Sequence, residues 1–375
     1  MSLTNKDERN RYKRADASSI EFQISFFERH QNTKRLRTLN TTDRITHIIT
    51  QTTTTAHMTD MVSPRSILKF FIAVAQEEGV GAQVRRSIGT MKMRNFPPFL
   101  MLDHFNVTPP AGFPDHPHRG FSTITYVNEG MMAHEDFTGS MGVLRPGDLQ
   151  FMTAGKGIVH SEIPVKTPDN QACVGMQLWV DLPEELKNCD PLYRDLKREE
   201  IPTAKPNDKV SVKVIAGEAY GVKSVQDLAH VAVHYYDYEV APGGEFSQPF
   251  PDNHNVFLYI LKGELEVNGT HLEQHSAAFF NRDGTDVVAK VPESQSGKTR
   301  LIVVGGEILN QPIFQHGPFV ATSREKIYDA FLSYQEGSNG FERAKGWYSK
   351  IGRGVDSKDL DKDLQVEGKP VKDEL

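Results

Sequence analysis

Two short motifs decide how this chain is read: Phe113-Pro114-Asp115-His116-Pro117-His118-Arg119-Gly120 and Gly155-Lys156-Gly157-Ile158-Val159-His160-Ser161-Glu162. Each carries two metal-ligating side chains one residue apart. In a β-strand, residues i and i+2 point to the same face. His116 and His118 therefore aim one way, and so do His160 and Glu162. Hairpin turns between the motifs return one strand opposite the other. If the two strands face each other across a barrel, three imidazoles and one carboxylate converge. That donor set suits iron, manganese, copper, nickel or zinc.

The flanking sequence predicts such a barrel. Short β-branched and aromatic runs cover Phe99–Phe105, Ser122–Val127, Met132–Asp136, Asp148–Thr153 and Gly175–Leu182. Turns such as Asn128-Glu129-Gly130 and Arg145-Pro146-Gly147-Asp148 separate them, with no helices between. Ile67–Val74 is expected to open this barrel as its first strand, and Val80–Ile88 to follow. Pro191–Pro206, charged and bracketed by prolines, is expected to be a linker with one helical turn. A second strand-rich block then covers Val210–Ala216, His230–Val240, Val256–Leu261, Glu264–Val267, Ser276–Asn281 and Arg300–Gly305.

The two blocks form a degenerate repeat. Tyr126-Val127-Asn128-Glu129-Gly130 parallels Tyr259-Ile260-Leu261-Lys262-Gly263, and at that offset His116 and His118 meet Pro249 and Pro251. No histidine lies between His275 and His316, so the second block also lacks a His-x-Glu pair. Two similar barrels are expected, of which only the first holds a metal. The fold class is all-β: two tandem jelly-roll barrels with short C-terminal helices. Ser323 is expected to cap a helix with Ile327, Ala330, Phe331 and Tyr334 at helical spacing, and a second helix is expected to start within Asn339–Trp347.

The expected organisation is a disordered N-terminal extension over 1–62 and a metal-binding barrel over 63–190. A linker follows over 191–208, then a metal-free barrel over 209–310, a helical segment over 311–352 and a charged disordered tail over 353–375. The N-terminal arm is a poor mitochondrial presequence, because acidic residues interrupt its basic ones. Met58 and Met61 lie just before the first strand, so an upstream-extended reading frame is one expectation for the arm. A net charge of −6 and a pI of about 6.2 argue against bulk nucleic-acid binding. Two cysteines, Cys173 and Cys189, do not make a disulfide framework. There is no apolar run of the ~18 residues a membrane span needs.

Other candidates are weaker. His104 and His134 are expected near the pocket, supporting ligands rather than acting as ligands, with an exposed strand edge as the alternative for His134. His230 and His234 have no partner at ligand spacing, and His271 and His275 are expected to be solvated. Arg119 either steers an anion or anchors its turn. Three neutral imidazoles and one carboxylate leave a divalent ion at a charge of about +1, with positions free for a chelating substrate or dioxygen. Glu162 either stays a ligand or swings off as a general base. Fe(II) fits this set, whereas affinity order alone favours Cu(II) or Zn(II).

Several of these segments together resemble the pirin family of the cupin superfamily: Phe99–Asp103, Gly112–Phe121, Met132–Phe137, Pro146–Gln150, Met152–Glu162, Gln177–Val180, Gln315–Phe319 and Asn339–Ala344. The resemblance spans about residues 67–352. It implies a bicupin with one mononuclear Fe(II)/Fe(III) site in the N-terminal cupin, held by His116, His118, His160 and Glu162. It also implies two activities. One is that of a quercetinase, a dioxygenase that opens a flavonol ring with O2 and releases carbon monoxide, with Glu162 as the catalytic base. The other is that of an iron- and redox-dependent nuclear cofactor that binds transcription factors without catalysis. One departure is Ser122, where many cupins and pirins place Glu. The resemblance implies that the carboxylate ligand comes from the later pair, so the site survives while an interaction around it is missing.

A monomer is expected, in cytoplasm and nucleus, with no direct nucleic-acid or membrane partner. Lys372-Asp373-Glu374-Leu375 spells an ER-retrieval signal. The only signal-like segment, Ile67–Ala75, is interrupted by Lys69, so the tetrapeptide is expected to be coincidental.

Overall fold

Runs of β-branched and aromatic residues broken by Gly, Pro and Asn form strands through most of the chain. The computed structural model describes residues 62–78, 81–225 and 232–360. The expectations for 1–61, for His230 and for the tail from 361 onward, including Lys372–Leu375, lie outside the described residues. Among the described residues no helix is long and apolar enough to cross a membrane, and both cysteines are free thiols.

The first strand is β1 (Ile67–Ile72). It is followed by β2 (Ala75–Glu78), β3 (Ala82–Ile88), β4 (Phe99–Val107), β5 (Phe113–His118) and β6 (Phe121–Glu129). Then come β7 (Met132–Asp136), β8 (Met141–Leu144), β9 (Leu149–Thr153), β10 (Ile158–Lys166), β11 (Cys173–Asp181) and β12 (Leu192–Leu196). The first barrel is a seven-stranded sheet in the order β12-β9-β6-β11-β4-β3-β2, closed by a smaller sheet containing β5, β10, β7 and β8. The second barrel repeats the plan, with a seven-stranded and a four-stranded sheet.

The two large sheets face each other. Alternation along β6 sends Val127 into the first barrel and Ile124 and Tyr126 outward. There they join Tyr235, Phe257, Phe279 and Val304 in one core shared by both barrels. A polar staple crosses this interface. The Tyr126 hydroxyl donates to Asp237 Oδ2 at 2.8 Å, and Arg300 donates to both Asp237 oxygens at 3.0 and 2.9 Å and to Asn128 Oδ1 at 2.9 Å.

Four expectations are corrected. β1 does not open the first barrel; it pairs antiparallel with Ser276–Phe280 and forms the edge of the second barrel's large sheet. Phe71 stacks on Phe279 with 5.8 Å between centroids. Just before β1, the buried Arg65 donates to the carbonyls of His254 (2.8 Å), Pro251 (2.7 Å), Phe250 (3.3 Å) and Gly284 (3.1 Å). The expected linker has its helical turn, a 3-10 turn at Arg198–Glu200, but is otherwise mostly strand: β12 pairs with β9, and Thr203–Asn207 pairs with Val210–Ala216. The expected second C-terminal helix is only a short 3-10 turn at Glu342–Ala344. Positive φ at Gly340 (102°) and Gly346 (79°) breaks the backbone on both sides of it. Within the expected tail, Val355–Asp356 form a short strand beside β10.

The first C-terminal helix, α1 (Arg324–Glu336), forms as its signals predict. The Ser323 hydroxyl accepts from the Lys326 N–H at its start, and Gly337 ends it at φ 62°. Its apolar face packs with Phe319 and Phe341 onto Met152, Ile158 and Val159, so the chain's end returns to the first barrel.

Arg65→Ala orphans several buried carbonyls at once and should cost about 3 kcal/mol of stability. Arg65→Lys should recover only part of this, because it lacks the planar fork. Denaturant unfolding measures both; a loss below about 1 kcal/mol would show that the anchor is dispensable.

Candidate metal centre

The two histidine-bearing strands do not face each other across the barrel. β5 and β10 are antiparallel neighbours in one sheet, with His160 opposite His116 and Ile158 opposite His118. Residues opposite one another in such a pair share a face, so His116, His118 and His160 converge within a single sheet. One donor atom from each lies within 4.8 Å of the others. The register shifts after His160, and Glu162 comes to lie opposite Phe113.

Glu162 is not part of that three-histidine group. It lines the same cavity, and its carboxylate is held from the facing sheet. The Thr125 hydroxyl donates to Oε1 at 3.1 Å, and Gln177 Nε2 lies 3.3 Å from Oε1 and 3.2 Å from Oε2. Sequence reasoning missed Thr125 and Gln177. Their signal was alternation, which puts Gln177 and Trp179 on one face of β11 and Thr125 on the inner face of β6.

The imidazoles fit a cation. His116 Nδ1 lies 2.9 Å from the Pro114 carbonyl and must donate to it, leaving the Nε2 lone pair free. That Nε2 lies 3.0 Å from His160 Nε2, a pairing that needs either a shared proton or a shared cation. The Nδ1 atoms of His118 and His160 are buried without a hydrogen-bond partner among the described residues. Burial, and then the neighbouring His116, hold both rings well below the ordinary histidine value, so they stand neutral as ligands require. Phe121 and Trp179 meet the His118 ring edge-on, each with 5.2 Å between centroids. From this cluster a cavity of about 1210 Å³ opens toward α1 and the Phe314–Pro318 segment.

The remaining candidates separate cleanly. His134 is buried rather than on an exposed edge. Its Nε2 lies 3.2 Å from Asp195 Oδ2, and its ring stacks on Tyr193. It sits opposite Glu162 on β7, and Asp195 comes from β12. His104 points away from the cavity into the crevice between barrels, 3.2 Å from the Tyr259 hydroxyl. His275 meets the same hydroxyl at 3.4 Å and is half-buried, not solvated. His271 is exposed and paired with Glu264, and His234 lies 3.0 Å from the Tyr236 hydroxyl.

Arg119 anchors its turn. It donates to the carbonyls of Lys156 (2.6 Å) and Asn339 and stacks over Phe341. Ser122 is three residues before Thr125 and so faces away from the cavity, where its hydroxyl lies 3.1 Å from Thr153 Oγ1. A carboxylate at that position would not reach the histidines.

Comparison with known proteins identifies the family and the fold. The Pirin family matches residues 81–180, and the Pirin C-terminal cupin domain matches 235–340. The chain is 45% identical over 287 residues to a pirin-like protein of Solanum lycopersicum, covering 76% of this chain and 97% of that one. It is 43% identical over 299 residues to Pirin of Homo sapiens, covering 78% of this chain and 100% of that one. A crystal structure of quercetin 2,3-dioxygenase from Acinetobacter baumannii superposes with a TM-score of 0.66 at 27% identity, covering 73% of this chain and 98% of that one.

Burial lowers the His104 imidazole from 6.5 to about 4. The unfolded chain takes up a proton near pH 6.5 that the folded chain refuses until near pH 4, so stability falls as pH drops through that window. His104→Asn should flatten this dependence by at most about 1.4 kcal/mol per pH unit. Denaturant unfolding at stepped pH checks it, and an unchanged slope would mean that His104 titrates freely in the fold.

Proposed function

The chain belongs to the pirin family, and from that premise we propose that it is a mononuclear iron protein catalysing O2-dependent opening of a flavonol ring, as a quercetin 2,3-dioxygenase does. The observation that carries this reading is the convergence of His116, His118 and His160 at a cavity of about 1210 Å³ that His116, His118 and Glu162 line. Such a volume is ample for a three-ring aromatic molecule. The three histidines would hold the iron, with Glu162 as fourth ligand or as base. When bound, iron supplies Lewis acidity toward the flavonol's hydroxyl and carbonyl oxygens and a one-electron couple for dioxygen.

The protein's own groups do the rest. Thr125 and Gln177 aim the Glu162 carboxylate into the cavity, where it takes the proton of the flavonol hydroxyl. That leaves the electron-rich flavonolate that reacts with O2, and the ring opens with release of carbon monoxide. Phe113 and Trp179 give the wall an apolar surface against which the aromatic rings lie and from which water is displaced.

An iron- and redox-dependent cofactor that binds transcription factors would need the same histidines. It has no need of the large cavity, and that favours the enzyme.

Iron-loaded protein incubated aerobically with quercetin should bleach the flavonol absorbance and release carbon monoxide. His116→Ala should lose bound iron and fall to background, while Glu162→Gln should lower kcat at least about 100-fold. Wild-type protein that holds iron and leaves the flavonol intact would hand the site to the redox-cofactor reading. Full iron content in His116→Ala would overturn the ligand assignment.

A further inference from the structure

A row of polar side chains crosses the inner face of the first barrel's large sheet. Thr125 on β6 lies opposite Gln177 on β11, Gln177 opposite Asp103 on β4, and Asp103 opposite Arg86 on β3. Gln177, Asp103 and Arg86 line the cavity, and Thr125 reaches Glu162. Adjacent strands lie roughly 4.8 Å apart, which puts Asp103 about 10 Å from Thr125, across the cavity wall from the histidine end. Val84, Met101, Phe105, Phe113 and Trp179 give the lining apolar stretches between these residues, and Glu78, Arg94 and Asn95 line the cavity as well.

Polar groups in such a wall are costly unless partnered. Here the partnering is lopsided. Arg86 Nε and Nη2 donate to Asp103 Oδ1 and Oδ2 at 2.8 and 2.7 Å, and Nη2 also lies 3.1 Å from Glu78 Oε2. One guanidinium thus serves two carboxylates, and the cluster keeps a net negative charge. Arg86 fixes the Asp103 side chain, which is only 6% exposed, without using all of its lone pairs. Asp103 therefore offers acceptor lone pairs to hydrogen-bond donors in this part of the cavity.

We infer that Asp103, fixed by Arg86, is a specificity residue: it accepts hydrogen bonds from phenolic hydroxyls on the substrate ring remote from the metal. The cavity then selects aromatic ligands hydroxylated on that distal ring over otherwise identical ones that are bare or O-methylated there. The inference rests on the flavonol reading of the site.

The test measures dissociation constants by tryptophan fluorescence on the full iron-loaded chain under argon, where no turnover occurs. The ligands are flavonols that differ only in distal-ring hydroxyls, and their O-methyl ethers. Wild type should bind the hydroxylated ligand about tenfold more tightly or better, and methylation should abolish the gain. Asp103→Asn should reduce the preference to less than about threefold while leaving affinity for the bare ligand within about twofold. A merely structural role would weaken both ligands alike. The wild-type hydroxyl and methyl-ether comparison remains decisive if Asp103→Asn does not fold. Equal binding of all flavonols by wild type overturns this inference and spares the flavonol reading. Binding of none of them removes both.

Discussion

Cross-strand pairing of His160 with His116 is the constraint on which the site depends. Side-chain faces alternate along a strand, so a slip of one residue between β5 and β10 would send His160 to the other side of the sheet and dissolve the cluster. The ends of the pair are tied down. The Gly120 N–H donates to the Gly155 carbonyl at 2.9 Å, and the Arg119 N–H and carbonyl bond Pro318 and Val320 at 3.1 and 3.0 Å. Gly120 has φ 83°, and any Cβ there would collide with the Val320 carbonyl. The strand that carries two of the histidines is thus held by a segment from the far end of the chain.

That arrangement gives the second barrel a role in the site. The second barrel covers the outer face of the first barrel's large sheet, through Ile124, Tyr126 and their partners, so that sheet is buried on both sides. A sheet buried on both sides holds its inner residues in fixed positions. Thr125, Gln177 and Asp103 stand on this rigid wall and face the histidines on the smaller sheet. The second barrel thus sets the geometry of the first.

Much of this was legible in the residues. The strand runs, the turn residues and the His-x-His and His-x-Glu spacings are local signals, and local chemistry determines them. Gly-rich and Asn-rich punctuation marked Met132–Asp136 and Val210–Ala216 at their observed bounds. What alternation cannot give is a strand's partner. It shows that His116 and His118 share a face, but not whether His160 approaches from across the barrel or from the adjoining strand. For the same reason the residues of β1 point to the nearer barrel, although Phe71 finds its stacking partner at Phe279. The charged Pro191–Pro206 segment carried β12 unnoticed, because an edge strand half in solvent tolerates charge. One of its charged residues, Asp195, proved to be the partner of His134. The hold on Glu162 was hidden because Thr125 and Gln177 are unremarkable residues until two sheets bring them together.

The placement of β1 also has a consequence for biosynthesis. It leaves the ribosome before any other strand described here, yet its partner Ser276–Phe280 follows roughly 200 residues later. At ordinary translation speeds that is roughly 10–40 s during which a strand bearing Leu68, Phe70 and Ile72 has no sheet to join. The first barrel's large sheet can assemble in that interval, since all its strands lie between β2 and β12. The nascent chain therefore carries an unpaired strand ahead of the first barrel's assembled large sheet. Closure of the second barrel comes only when the earliest segment is captured by one of the latest.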